Sequence, residues 1–175
     1  AGTGNLPVNP GGFDCVVSGL VLNFLPDLNK SVEEMRDRTH LNGTLAVYVW
    51  DYAGRMEYLR IFWDEVVAMD PSARELDEGV LFSMCNQRTL ERIFQSTGLR
   101  DVKSSAIEIP IHFETFSDYW RPFLGETGPA PLYVASLDDE RRTELRSRLK
   151  KRLAVGEKET ITLVARAWAV RGTVA

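Results

Sequence analysis

Three stretches of this chain hold residue types that could bind or transform a small molecule. Ser18-Gly19-Leu20-Val21-Leu22-Asn23-Phe24 leaves a short apolar run through a small, flexible pair. Trp50-Asp51-Tyr52-Ala53-Gly54 follows a second apolar run and sets an acid between two amphipathic rings. In an open parallel sheet, ligands bind beyond the carboxyl ends of the strands, and both stretches fall at such ends. Gly19 and Gly54 allow backbone conformations closed to other residues, so a ligand can approach the main chain there. The same glycines also suit plain turns, and Trp50 also suits a core. The third stretch is Phe116-Ser117-Asp118-Tyr119-Trp120-Arg121-Pro122-Phe123-Leu124-Gly125, continuing through Gly128-Pro129-Ala130-Pro131. Its aromatics, with an acid and an arginine between them, suit a lid or pocket wall, since Tyr and Trp join apolar area to a polar edge. They equally suit a plug at the end of a sheet.

A general base has to come from Asp51, His112 or Asp118, because no Ser/His/Asp or Cys/His pattern is present. His40 lies between a helix and the Asn42-Gly43 turn and is expected to be exposed. No Cys/His spacing suggests a metal site. Cys15 and Cys85 sit in apolar segments and read as small core hydrophobes in a reducing compartment. Ala1-Gly2-Thr3-Gly4-Asn5 is glycine-rich, but no strand precedes it and no helix follows, so it fails the context of a nucleotide loop.

The elements that must position these residues alternate. Residues 1–12 read as loop. Phe13–Ser18 is a short continuous apolar run, the signature of a strand covered on both faces. A helix is predicted over Asn29–Arg38, then a turn at Asn42-Gly43 into a strand over Thr44–Trp50. Strand, helix and strand make a βαβ unit. Met56–Met69 carries Leu59, Phe62, Trp63, Val66 and Val67 at helical spacing and stops at Asp70-Pro71. Asn86 is placed to cap a helix over Gln87–Ser96, with Gly98 as its stop. Val102–Pro110 reads as a strand, Phe113–Leu124 as an aromatic helical or looped segment, Leu137–Leu153 as a helix and Thr160–Val170 as the last strand. The whole is a single α/β domain over residues 1–175, a doubly wound sheet that begins in its middle. Phe13–Ser18, Thr44–Trp50 and Val102–Pro110 should run parallel, with Thr160–Val170 inserted antiparallel between the latter two.

Bulk properties narrow the partners. The chain has 175 residues, a formal charge of -4 and an apolar fraction of 44%. That mild acidity gives no field to attract nucleic acid or anionic lipid. The basic residues of Leu137–Leu153 alternate with Asp138, Asp139, Glu140 and Glu144, so they read as a charge-paired solvated face. No apolar run reaches the ~18 residues of a membrane span, and no leader is visible, so a soluble cytoplasmic protein is expected.

With the elements placed, the chain resembles the C-terminal part of a bacterial class I S-adenosylmethionine-dependent methyltransferase. Gly12-Phe13-Asp14-Cys15-Val16-Val17-Ser18-Gly19 is similar to the family's fourth strand, and Asn42-Gly43-Thr44-Leu45-Ala46-Val47-Tyr48-Val49-Trp50-Asp51-Tyr52 to its fifth. Gln87–Asp101 resembles the next helix and its exit. Asp118-Tyr119-Trp120-Arg121-Pro122-Phe123-Leu124 and Ala165-Arg166-Ala167-Trp168-Ala169-Val170 resemble one uncharacterised subgroup. The resemblance implies S-adenosyl-L-methionine as cofactor. It leaves Ser18, Gly19, Leu20 and Leu22 as the surviving cofactor wall, because the family's first strands and glycine-rich loop have no counterpart here. It places Trp50, Tyr52 and Trp120 on the acceptor side, and Asp51, His112 and Tyr119 as the groups that orient or deprotonate an acceptor. The acceptor, a small molecule or another class, is not named by these residues. The chain alone is expected to be inactive and to cover its open sheet edge in a homo-oligomer or with a partner. A non-catalytic assembly or binding module derived from half a methyltransferase is the alternative. A nicotinamide oxidoreductase would need a glycine-rich loop between strand and helix, which this chain lacks.

Overall fold

The computed structural model describes residues 7–153 and 160–175. The glycine-rich segment at residues 1–5 and the first half of the expected N-terminal loop lie outside them. Four strands form one sheet: β1 (Phe13–Gly19), β2 (Thr39–Trp50), β3 (Arg100–Phe113) and β4 (Ile161–Thr173), in the order β1-β2-β4-β3. β1 and β2 are parallel, and β2 and β4 are antiparallel. At one end of the last pair, Gly172 packs beside Leu99 and Arg100, while His112 meets Thr162 at the other, so β3 and β4 also run antiparallel. The last strand therefore lies between β2 and β3, as the sequence predicts. The architecture is α/β with a mixed sheet, consistent with a partial doubly wound fold.

The chain divides into two compact units: residues up to Asp51 with Met84–Ile107 and Ala167–Ala175, and Tyr52–Ser83 with Glu108–Arg166. In the first unit, α1 (Leu28–Asp37) starts where the Asp27 side chain accepts from Lys30 N, and α4 (Gln87–Ser96) starts where Asn86 accepts from Thr89 N. Thr97 and Gly98, the latter at φ +80°, end α4. These helices present Val32, Met35, Leu90, Ile93 and Phe94 to the core, and β2 and β4 contribute Leu45, Val47, Val49 and Val170.

Three expectations are corrected in this unit. The first concerns β1, which is not covered on both faces. Cys15 and Val17 stand in register with Thr44 and Ala46, and Tyr48 with Ala169, on a face where Val17 is 58% and Tyr48 37% exposed. Cys15 is accordingly exposed; only Cys85 is a core thiol. Apolar runs mark a strand but do not say what lies against it. The second concerns Asn42-Gly43, which does not turn the chain into a strand. β2 already runs from Thr39, and Asn42 takes a left-handed φ of 64° inside it while Gly43 O accepts from Val174 N. The local irregularity is a register shift against β1 between Phe13 and Cys15.

His40 is the third correction, being half-buried and engaged. Its Nε2 lies 2.7 Å from Asp14 Oδ1 and its Nδ1 2.5 Å from Leu41 O. Both neighbours are acceptors, so only the imidazolium satisfies both. The Asp14 hydrogen bond, then the Leu41 carbonyl, raise the His40 pKa above its ordinary value. A raised folded-state pKa contributes stability that is fully present below the unfolded value and fades as pH rises through the folded one. We expect the melting temperature of the wild type to fall more than that of His40→Gln between about pH 5.5 and 8.5. Equal slopes for the two proteins would remove the contact from the solution state.

The second unit is held by α2 (Glu57–Met69), α3 (Glu78–Leu81), α5 (Phe116–Trp120), α6 (Pro129–Ser136) and α7 (Asp139–Leu153). α2 ends at Asp70-Pro71, where the Asp70 side chain caps the following 3-10 turn through Ser72 N. Its aromatic core is dense: the Phe62 and Phe123 rings stack at 4.3 Å and 11°, and Trp63 stands edge-on to Phe62 at 5.1 Å. On α7, Arg148 pairs with Glu144 and Arg142 with Asp139, while Arg152 reaches Asp64 and Glu65 of α2. The basic cluster is thus a charge-paired face.

Candidate functional site

The first unit brings together the carboxyl ends of β1 and β2. Tyr48 is opposite Gly19 in the parallel register, and Leu20 N donates to Tyr48 O at 2.8 Å. Leu20 then takes φ 56°, a left-handed conformation unusual for a branched side chain. This bend throws the chain out of the sheet into a single 3-10 turn over Leu22–Phe24. The space that Gly19 leaves open is occupied by Tyr48: a Cβ built there would fall 2.3 Å from the Tyr48 hydroxyl. Ser18, Gly19 and Leu20 are half-buried and Leu22 is buried.

At the end of β2, Trp50 is half-buried and Asp51 is buried. Burial, and after it the Asp51 charge, push the Cys85 thiol up to about 12, so Cys85 is not a nucleophile at neutral pH.

One residue of this region escaped the sequence reading. Asn23 is only 6% exposed, and among the described residues neither its Oδ1 nor its Nδ2 has a hydrogen-bond partner. Its neighbours are inverted with respect to it, with Val21 49% and Phe24 64% exposed. The one available signal was a polar residue inside the run Val21-Leu22-Asn23-Phe24-Leu25.

The remaining candidates belong to the second unit. Tyr52 packs its ring against Phe82 at 4.7 Å. His112 is exposed, with Nδ1 3.1 Å from Thr162 Oγ1. Asp118 accepts from Thr115 Oγ1 at 2.9 Å and pairs with Arg121, which makes it part of the α5 cap. Trp120 is buried and packs near Phe123. Tyr119 is fully buried among Phe113, Phe116 and Phe123, and its hydroxyl donates to Tyr58 O at 3.0 Å. Burial pushes the Tyr119 hydroxyl far above its ordinary pKa, which leaves hydrogen-bond donation as its chemistry.

Among the described residues, no group of three or more His, Cys, Asp or Glu side chains could hold a metal ion. Among them too, no helix is long and apolar enough to cross a membrane.

No protein-family model matches the sequence, and no curated protein matches it significantly. The fold is another matter. A candidate methyltransferase from Bacillus halodurans C-125 superposes with a TM-score of 0.52 at 10% identity, covering 99% of this chain and 75% of that one. The chain has a class I methyltransferase-like fold. The YcgJ protein of Bacillus subtilis gives a TM-score of 0.51 at 13% identity, over 98% of this chain and 68% of its own. A candidate methyltransferase from an antibiotic biosynthesis pathway of Anabaena variabilis gives 0.52 at 17% identity, over 95% and 70%. The likeness is one of fold, and these structures contain more chain than this one matches.

Proposed function

We propose that this chain is the C-terminal part of one class I S-adenosylmethionine-dependent methyltransferase domain. The observation that carries the reading is the sheet order β1-β2-β4-β3 with β4 antiparallel to β2, in a chain that aligns almost throughout with methyltransferase-fold structures. S-adenosyl-L-methionine, when bound, supplies a sulfonium methyl group to be attacked in line by the acceptor. The protein's contribution to such a transfer is positioning and exclusion of water. In this reading Ser18, Gly19, Leu20 and Leu22 form the cofactor wall. Asp51, buried at the end of β2, orients or deprotonates the acceptor from the first unit, with Trp50 beside it in sequence. In the second unit His112 is the alternative base, because it is exposed and able to exchange protons with solvent. Tyr119 is a hydrogen-bond donor, and Tyr52 and Trp120 are aromatic walls. The acceptor is proposed as a small molecule.

A cofactor wall without the rest of a pocket should bind weakly. Calorimetric titration of the 175-residue chain with S-adenosylhomocysteine is expected to give a dissociation constant of about 1 mM or slightly above. Micromolar one-to-one binding would overturn the incomplete pocket. No heat at tens of millimolar would overturn the methyltransferase reading for this chain.

A second reading, a non-catalytic assembly module, rests on the open side of β1. Among the described residues β1 is the edge of the sheet, and Val17 and Val21 are exposed beside it. Such an edge is a template for another strand. We propose that a second copy covers it. Sedimentation at micromolar concentration should show a dimer; a monodisperse monomer with a cooperative melt would overturn the proposal.

A further inference from the structure

We propose that Asn23 is a binding residue held in reserve: its carboxamide stays unpaired in the free protein and is used on the ligand taken at the carboxyl ends of β1 and β2. The inference rests on the methyltransferase reading for the identity of that ligand, but its starting point is independent of it. Buried polar groups are almost always hydrogen-bonded, and one left without a partner destabilises the fold. Here both ends of one carboxamide lack a partner among the described residues, in a side chain only 6% exposed. Packing does not explain the choice, because a leucine has nearly the same shape and no such penalty.

The surroundings point the same way. The turn that carries Asn23 follows a left-handed Leu20, has no side-chain cap, and turns Val21 and Phe24 outward while the amide goes in. A strained backbone residue, an inverted turn and an orphaned amide within five residues are concentrated where a parallel pair of strands takes its ligand. Local rule-breaking of this kind is characteristic of functional segments.

The chemistry of the group defines what it takes. A carboxamide offers an acceptor beside two donors, so it pairs with a ligand edge that presents a donor beside an acceptor. An S-adenosyl ligand has two such edges: the adenine ring edge, and the ammonium and carboxylate of its amino-acid end. Because the amide atoms have no solvent-accessible surface, the ligand reaches them only as the Leu22–Phe24 turn shifts. That turn is closed by two backbone hydrogen bonds, Phe24 N to Val21 O and Leu25 N to Leu22 O.

The test has two arms on the full 175-residue chain. In the absence of any ligand, Asn23→Leu is expected to melt about 2–6 °C above the wild type, because the unsatisfied amide is gone. A variant that melts lower, or does not fold, overturns the proposal, since it would show that Asn23 has a structural partner. In the second arm, the Asn23 side-chain NH2 resonances are followed during titration with S-adenosylhomocysteine, adenosine and methionine up to tens of millimolar. A shift with S-adenosylhomocysteine and adenosine alone assigns the adenine edge, and one with S-adenosylhomocysteine and methionine alone assigns the amino-acid end. Binding of S-adenosylhomocysteine with an unmoved Asn23 amide overturns the proposal and leaves the methyltransferase reading standing. No binding of any probe overturns both.

Discussion

Tyr119→Ala is expected to lower the unfolding free energy by about 3–5 kcal/mol, the range for truncating a fully buried aromatic side chain. Tyr119 has no exposed surface and meets Phe113, Phe116 and Phe123 with ring centroids between 5.4 and 6.0 Å. Removing it opens a void in an aromatic cluster whose members are already stacked on one another and cannot collapse freely. Tyr119→Phe keeps the ring and deletes only the donor to Tyr58 O. That carbonyl lies in the first turn of α2 and also accepts from the helix, so the loss should be near the net value of one hydrogen bond, about 0.5–1.5 kcal/mol. Urea denaturation with an unchanged slope would measure both. A Tyr119→Ala variant within about 1 kcal/mol of the wild type would mean that the cluster is not formed in solution.

Asp77→Ala should be the other severe change, with a loss of about 3–5 kcal/mol. Asp77 is 8% exposed, accepts from both terminal nitrogens of Arg60, and its Oδ1 also accepts from Gly79 N at 2.7 Å, capping α3. The side chain of Arg60 is only 18% exposed. Taking away the carboxylate therefore leaves a guanidinium held out of water without its partner, and frees a helix N-terminus at the same time. Removing both charges should be far milder: Arg60→Met with Asp77→Leu is expected to recover most of the loss, because the unpaired charge and not the missing attraction dominates. Thermal and urea melts of the two singles and the double form the cycle. Additive losses would show that the two groups act independently and are screened by solvent.

Much of the fold was legible because its punctuation is local. Asp70-Pro71 ended α2, Asn86 capped α4 and Gly98 closed it, each through chemistry confined to a few residues. α6 was not legible, since Gly128-Pro129-Ala130-Pro131 reads as loop. Yet proline is tolerated in a first helical turn, where no donor is needed, and Pro129 opens the helix there. The burial of β1 was misjudged because an apolar run reports what a strand prefers, whereas its covering is decided by elements distant in sequence. The same limit hid Asn23. Its residue type is unremarkable for a turn, and only the packing around it makes an ordinary amide an unsatisfied one. By contrast the placing of Trp50 and Asp51 at the carboxyl end of β2 was legible, since that end is fixed by its own strand pattern.

The position of β4 also sets an order of assembly. Among the described residues β3 has β4 as its only hydrogen-bonded neighbour in the sheet, and β4 follows β3 in the chain. β1, α1 and β2 can associate as soon as Trp50 has been made, through contacts close in sequence. β3 must wait for about fifty further residues before it has a strand to join, and until then its exposed edges are open to other chains. Until β4 has been made, β3 stays apart from the β1–β2 pair, and demand for chaperones is expected in that interval.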